Sequence, residues 1–329
     1  MTSPAAPPRL RRPAPPLNLD TLLLPLTLAA LYLCWCVPGH ALSLPLPAAL
    51  APLSLARPAF FAGALKMAPI LALAAQVAQS ARAATARRDT GAARYASLLC
   101  GGLLVSSLGD ALLDAHGLRR EGWWGLRNEH LFTAGLAAFL CAHVLYTVAL
   151  AGRAGAGSAG AALAAATAFC GSLAMLWEGT PAALRGPVVV YTAAISAMGY
   201  AAATAAPHRG NVAATRSALV GALLFMTSDA VLGLQEFGPP SARAALAQQG
   251  KLLIMLLYFS AQAALASSAM DEGAAAAPAK RGRLAVSSPK VQARALSRGK
   301  PRSSRAATPT SRASGRKQSL KPGARHKEA

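Results

Sequence analysis

Two aspartates, Asp110 and Asp229, interrupt long apolar runs, and acids at bilayer depth are costly groups that are usually kept for function. Their surroundings match. Gly102-Leu-Leu-Val-Ser-Ser-Leu-Gly-Asp110-Ala-Leu-Leu aligns with Gly221-Ala-Leu-Leu-Phe-Met-Thr-Ser-Asp229-Ala-Val-Leu, and both read G-x-L-x5-D-A-x-L. Two carboxyls brought together in a low dielectric cannot both ionise cheaply, so one keeps its proton beside the other's charge. An acid next to a carboxylate is what general acid/base catalysis requires. The plainer reading is that each Asp pairs separately with Lys66 or a hydroxyl and only joins helices. The other polar groups in apolar context are Lys66, Asp114, His143, Tyr191, Ser228 and Tyr258, with Glu129 and His130 at the start of a run. No H-E-x-x-H or H-x-x-E-H spacing accompanies His143, which favours hydrogen bonding between helices over metal binding.

These residues must be positioned by membrane-spanning elements. The chain has 329 residues, 54% hydrophobic and 14% charged. Soluble domains carry about 25% charged residues. Eight apolar runs approach the roughly 20 residues a spanning helix needs: 17–37, 59–79, 94–113, 129–150, 157–177, 186–206, 213–235 and 250–270. Only helices satisfy their own backbone groups in lipid here, because the short alternating segments of a β-barrel are absent. The expected fold is all-α, a polytopic transmembrane helix bundle of about eight spans. The two matching Asp segments lie four spans apart, which suggests a four-plus-four tandem duplication about an axis along the membrane normal. The Ala/Gly-rich run 157–177 suits a packed interior span. Pro69 interrupts the second span, whereas the sixth has no matching interior proline.

Eight spans place both termini on one side. Arg9, Arg11, Arg12, Arg82, Arg87, Arg88, Arg153, Arg209 and the C-terminal tail gather there. Arg57, Arg119, Arg120, Arg127, Arg185 and Arg243 fall on the other, so the balance favours cytosolic termini. In that topology Lys66, Asp110, Asp229, Tyr191 and Tyr258 share one layer in the outer half. Counted along the fourth span, His143 and Tyr146 fall towards the inner half.

The ends of the chain differ from its middle. Residues 1–16 are rich in Pro and Arg and read as disordered, and the run after them is too long for a cleaved signal's apolar core. Residues 17–270 form the expected membrane domain. The tail, 271–329, holds 15 of the 33 Lys and Arg and no aromatic residue. It reads as a disordered basic extension that could contact anionic lipid headgroups rather than a specific nucleic acid. Cys34, Cys36, Cys100, Cys141 and Cys170 all lie in or beside apolar segments without C-x-x-C spacing, and read as inert thiols. The stretch 41–55, with Pro45, Pro47 and Pro52, reads as an interfacial loop.

Several stretches together resemble the YhhN-like lysoplasmalogenase family of multi-span membrane proteins. They are Leu65-Lys66-Met-Ala-Pro69-Ile-Leu, the segment centred on Gly109-Asp110, and Phe132-x-x-Gly135-Leu-x-x-Phe139-x-x-x-His143-x-x-Tyr146. Gly221-Ala-Leu-Leu-Phe225-Met-Thr-Ser228-Asp229 and Tyr258-x-x-x-Gln262 complete the set. Pro69 stands three residues after Lys66, where the family pattern has it adjacent. The resemblance implies hydrolysis of the vinyl-ether bond of a lysophospholipid substrate in the bilayer, giving a fatty aldehyde and a glycerophospho-base. It implies Asp110 and Asp229 as the catalytic pair, with Lys66, Tyr191, Ser228, Tyr258 and His143 supporting, and neither metal nor cofactor. Buried Asp and Lys also suit the alternatives, a proton-coupled transporter or a non-catalytic lipid-binding protein.

Overall fold

The computed structural model describes residues 19–36, 58–117 and 128–275. Within them the chain is helical: α1 (Leu19–Cys36), α2 (Pro58–Ala86), α3 (Thr90–Gly117), α4 (Asn128–Ala151), α5 (Ala159–Leu176), α6 (Ala182–Thr204), α7 (Val212–Phe237), α8 (Pro240–Leu246) and α9 (Gly250–Ala275). Among them α2 to α7 and α9 are long and apolar enough to cross a bilayer, so the chain fits a multi-pass membrane protein. The expected first span is present as α1, whose apolar stretch Thr21–Cys34 is shorter than those of the seven spanning helices. The N-terminal segment, the proline-rich stretch 41–55 and nearly all of the basic tail lie outside the described residues.

The helices alternate in direction. At one end, called here the Asp89 end, three connections meet. Arg209 reaches Asp89 Oδ2 at 2.9 Å, and the Ala206 amide donates to the Arg153 carbonyl at 2.7 Å. Asp89 also caps α3, accepting from the Ala92 amide at 3.2 Å. Burial pushes the Asp89 carboxyl up, but the Ala92 amide, the Arg209 guanidinium and His208 together hold it below its ordinary value. Arg153 stacks 3.6 Å above the Tyr95 ring, and burial lowers it to about 10. The opposite end, called the Phe237 end, holds the last turn of α7, α8 and the first turns of α6 and α9.

Small residues set the closest approaches. A Cβ on Gly102 would overlap the Tyr146 ring of α4, and one on Gly221 would meet Leu265 of α9, including its backbone nitrogen at 2.9 Å. These two contacts are counterparts: Tyr146 follows Gly102 by as many residues as Leu265 follows Gly221. Likewise Gly109 packs on Phe139 in α4, and Ser228, its counterpart, donates to the Ile254 carbonyl of α9 at 3.1 Å. Thus α3 seats on α4 as α7 seats on α9, the arrangement expected of a four-plus-four duplication.

Two expectations about single helices fail. The Ala/Gly-rich helix α5 is not interior: only 6% of its span is buried, and it packs chiefly against α6. Small side chains permit close packing but offer little apolar area to hold a helix at the centre. In α6 the helix starts at Ala182, ahead of the expected span, so Pro187 does lie inside it, as Pro69 lies inside α2. The residues from Ala182 to Gly186 are of mixed polarity and hid that first turn from a hydropathy reading.

Candidate active site

A polar layer crosses the bundle near its Phe237 half, and it has two centres. In the first, α2 brings Lys66, α3 brings Asp110 and Asp114, and α9 brings Tyr258. Lys66 Nζ lies 3.1 Å from Asp110 Oδ1 and 3.0 Å from Asp114 Oδ1. The Tyr258 hydroxyl donates to Asp110 Oδ2 at 2.7 Å. Asp110 is therefore engaged on both oxygens and is buried, at 2% exposure. Pro69 lacks an amide, so the helical donor to the carbonyl of Leu65, beside Lys66, is missing.

In the second centre, α4 brings His143, α6 brings Tyr191 and α7 brings Asp229. The Tyr191 hydroxyl donates to Asp229 Oδ2 at 2.6 Å. His143 Nε2 stands 3.1 Å from the same oxygen and 3.0 Å from the Tyr191 oxygen. With the tyrosine proton on an Asp229 carboxylate, the tautomer protonated at Nε2 donates to these oxygens. His143 Nδ1 is buried and has no hydrogen-bond partner. His143 thus belongs to the layer and is not displaced towards the other half, as counting along the fourth span suggested. That count assumed that helices begin on one plane, and they do not.

Phe225 separates the centres. It is fully buried, with its ring centroid 4.7 Å from that of His143 and 5.5 Å from that of Tyr258, both in edge contact. Tyr146 lies beside it and donates to Gln262 Oε1 at 2.8 Å, while its oxygen is 3.4 Å from Ser106 Oγ. Gln262 Nε2 is buried without a partner. Asp110 and Asp229 are brought to one layer, as expected from sequence, but each has its own set of partners.

Solvent-accessible space distinguishes them further. A cavity of about 680 Å³ lies among α4, α5, α6 and α7. Its wall is largely apolar, and it includes Asp229 and Tyr191 but neither Asp110, Lys66 nor Tyr258. Asp229 is 14% exposed at its side chain, against 3% for Asp110. Ser228 faces away, onto α9. Among the described residues no group of three or more His, Cys, Asp or Glu could hold a metal ion. Cys34, Cys100, Cys141 and Cys170 are free thiols.

A protein-family model, that of the YhhN family, matches residues 61–269, from the start of α2 through nearly all of α9. The chain belongs to the YhhN family. The matched stretch contains both aspartates and every partner named above. No curated protein and no solved structure matches the chain. In this YhhN-family protein, sequence reading missed the His143–Asp229 pair and the screen formed by Phe225. Both residues stand in the quoted motifs, and an aromatic one turn before Asp229 on the same helix face was the available signal.

Proposed function

We propose that this protein hydrolyses the vinyl-ether bond of a lysophospholipid at the cavity wall formed by Asp229. The reading rests on one observation: a carboxyl, buttressed by Tyr191 and His143, faces an apolar cavity large enough for a lipid segment. Family membership supports the substrate class.

The chemistry runs through proton transfers. Asp229 in its acid form protonates the ether's outer vinyl carbon, and the double-bond electrons become the new C–H bond. The adjacent carbon is left as an oxocarbenium ion beside the Asp229 carboxylate, which offsets its charge, as one carboxylate does in glycosidases. Water adds to that carbon and returns a proton to Asp229. The hemiacetal then loses its alkoxy group as an alcohol, giving the fatty aldehyde and the glycerophospho-base. Tyr191 and His143 fix the carboxyl's orientation through Oδ2. Asp110, held by Lys66 and Tyr258, is a positioning residue that keeps the second half of the layer in place. Excluding bulk water from an apolar cavity strengthens each of these interactions.

The test uses purified protein in detergent, a vinyl-ether lysophosphatidylethanolamine and an assay for free aldehyde. The saturated alkyl-ether analogue, which has no carbon to protonate, should stay intact. Asp229→Asn should lower the rate by roughly 10²–10⁴, the usual worth of a general acid. Aldehyde release that survives Asp110→Asn and Asp229→Asn together would sink the mechanism.

One observation favours a transport reading instead: prolines lie inside α2 and α6, corresponding helices of the two halves. Both helices nevertheless run unbroken through them. Proton-linked uptake into liposomes without lipid turnover would carry that alternative.

A further inference from the structure

We infer that Glu236 is the headgroup-selecting residue of the cavity and that it recognises the ammonium group of a zwitterionic lysolipid. The inference rests on the hydrolase reading for the identity of the ligand, but not for its charge.

The cavity's electrostatics are one-sided. Among the described residues lining it, the carboxyls of Asp229 and Glu236 are present, and no Lys, Arg or His is. Arg185, at the same end of the bundle, is turned elsewhere: its Nε donates to the Thr180 carbonyl and its guanidinium lies over the Trp177 ring. A net anion with no cation of its own meets the Glu236 carboxylate there and, among the described lining residues, no cationic side chain. A ligand that carries its own cation near the mouth is favoured instead.

Position gives that cation a place. Glu236 follows Asp229 by two turns of α7 and therefore lies on the same face, roughly 10 Å further along at 1.5 Å per residue. That separation is close to the reach of an extended glycerophosphoethanolamine unit from its ether oxygen to its ammonium. Glu236 sits in the last turn of α7, where the carbonyl end of the helix adds partial negative charge. Phe132 and Phe237 line the same end of the cavity. A vinyl ether at Asp229 would then leave its headgroup at the water-facing end and its chain towards Leu140 and Ile195. Glu236 is exposed, so substituting it leaves the packing of the bundle intact.

The experiment measures binding of uncleavable probes to the full chain in detergent by calorimetry. The probes are saturated alkyl-ether lysolipids of equal chain length, one with phosphoethanolamine and one with phosphoglycerol. The wild-type protein should bind the ammonium-bearing lipid on the order of fivefold more tightly, the scale of a partly solvated ion pair. Glu236→Gln should remove that preference, and Glu236→Lys should reverse it. Equal affinities in the wild type, or a preference that Glu236→Gln leaves unchanged, would overturn the inference. Because the probes cannot be cleaved, the preference is read whether or not the protein is a hydrolase. Aldehyde release from the vinyl-ether lipid, measured alongside, reports separately on the catalytic reading.

Discussion

Replacing Lys66 by Met removes a charge while keeping an unbranched apolar stem in the same place. Lys66 Nζ is shared by Asp110 and Asp114 at 3.1 and 3.0 Å, and its side chain and that of Asp110 are only 10% and 3% exposed. Removing one partner of a buried pair costs about 3–5 kcal/mol, because the other is left buried and uncompensated. Asp110 retains the Tyr258 hydroxyl and can shed its charge by taking up a proton, and Asp114, 31% exposed, keeps water. Both escapes place the expected loss at the low end, about 3 kcal/mol. At roughly 2–4 °C per kcal/mol this lowers the melting temperature on the order of 10 °C. Lys66→Met combined with Asp110→Asn removes both charges and should recover at least about half of the loss, since the two effects share one cause. The assay is thermal unfolding of the four proteins of this cycle in one detergent. Additive losses in the double variant would refute the coupling. So would a Lys66→Met protein of unchanged stability with a raised KM for the lipid, which would mark the lysine as a phosphate ligand instead.

Phe225→Ala should cost about 3–5 kcal/mol as a fully buried aromatic truncation and, by removing the screen, should also change the pH profile of aldehyde release; loss of stability with an unaltered profile would deny it a separating role. Gly221→Ala should destabilise more than Gly171→Ala, because its Cβ meets backbone atoms of α9 whereas nothing lies within 4 Å of a Cβ at Gly171; comparable melting temperatures would contradict the packing described. Asp89→Asn should keep the cap on α3 but lose the ion pair with Arg209. The folded-state carboxyl lies below its unfolded value, so its stabilisation is present above about pH 3.9 and is lost as pH falls through the folded value; the variant should lack that acid-dependent component, and parallel stability curves for wild type and variant would exclude it.

The membrane-spanning architecture was legible because hydropathy reports length and polarity, the two properties a bilayer selects. The aspartates were legible for the same reason: rare charges in apolar helices stand out. The helices that carry the matched segments, α3 and α7, each set a small residue against a neighbouring helix. What sequence concealed was lateral. The composition of α5 cannot say whether small residues face helices or lipid, and only the chain's path puts α5 at the rim. His143 was misplaced in depth because helix ends are staggered by amounts that apolar counting does not reveal. Glu236 was overlooked because it lies at the end of a span, where a carboxylate is ordinary. Its significance comes from the cavity wall it shares with Asp229.

The two aspartates stand in matched segments but among different partners. At positions aligned by the matched segments the residues differ. Where α3 carries Ser106, α7 carries Phe225; where α4 carries His143, α9 carries Gln262; where α4 carries Phe139, α9 carries Tyr258. The result is that Asp110 meets Tyr258 and a lysine, whereas Asp229 meets His143 and Tyr191. A carboxylate with a fixed cation on one oxygen and a hydroxyl on the other has little left to give to a substrate. A carboxyl held through one oxygen by neutral-capable donors, at the wall of a cavity, can still exchange a proton. Phe225, where α3 has Ser106, is the partition between them. Under the proposed hydrolysis, Asp110 with its bound lysine holds helices together and Asp229 exchanges the proton.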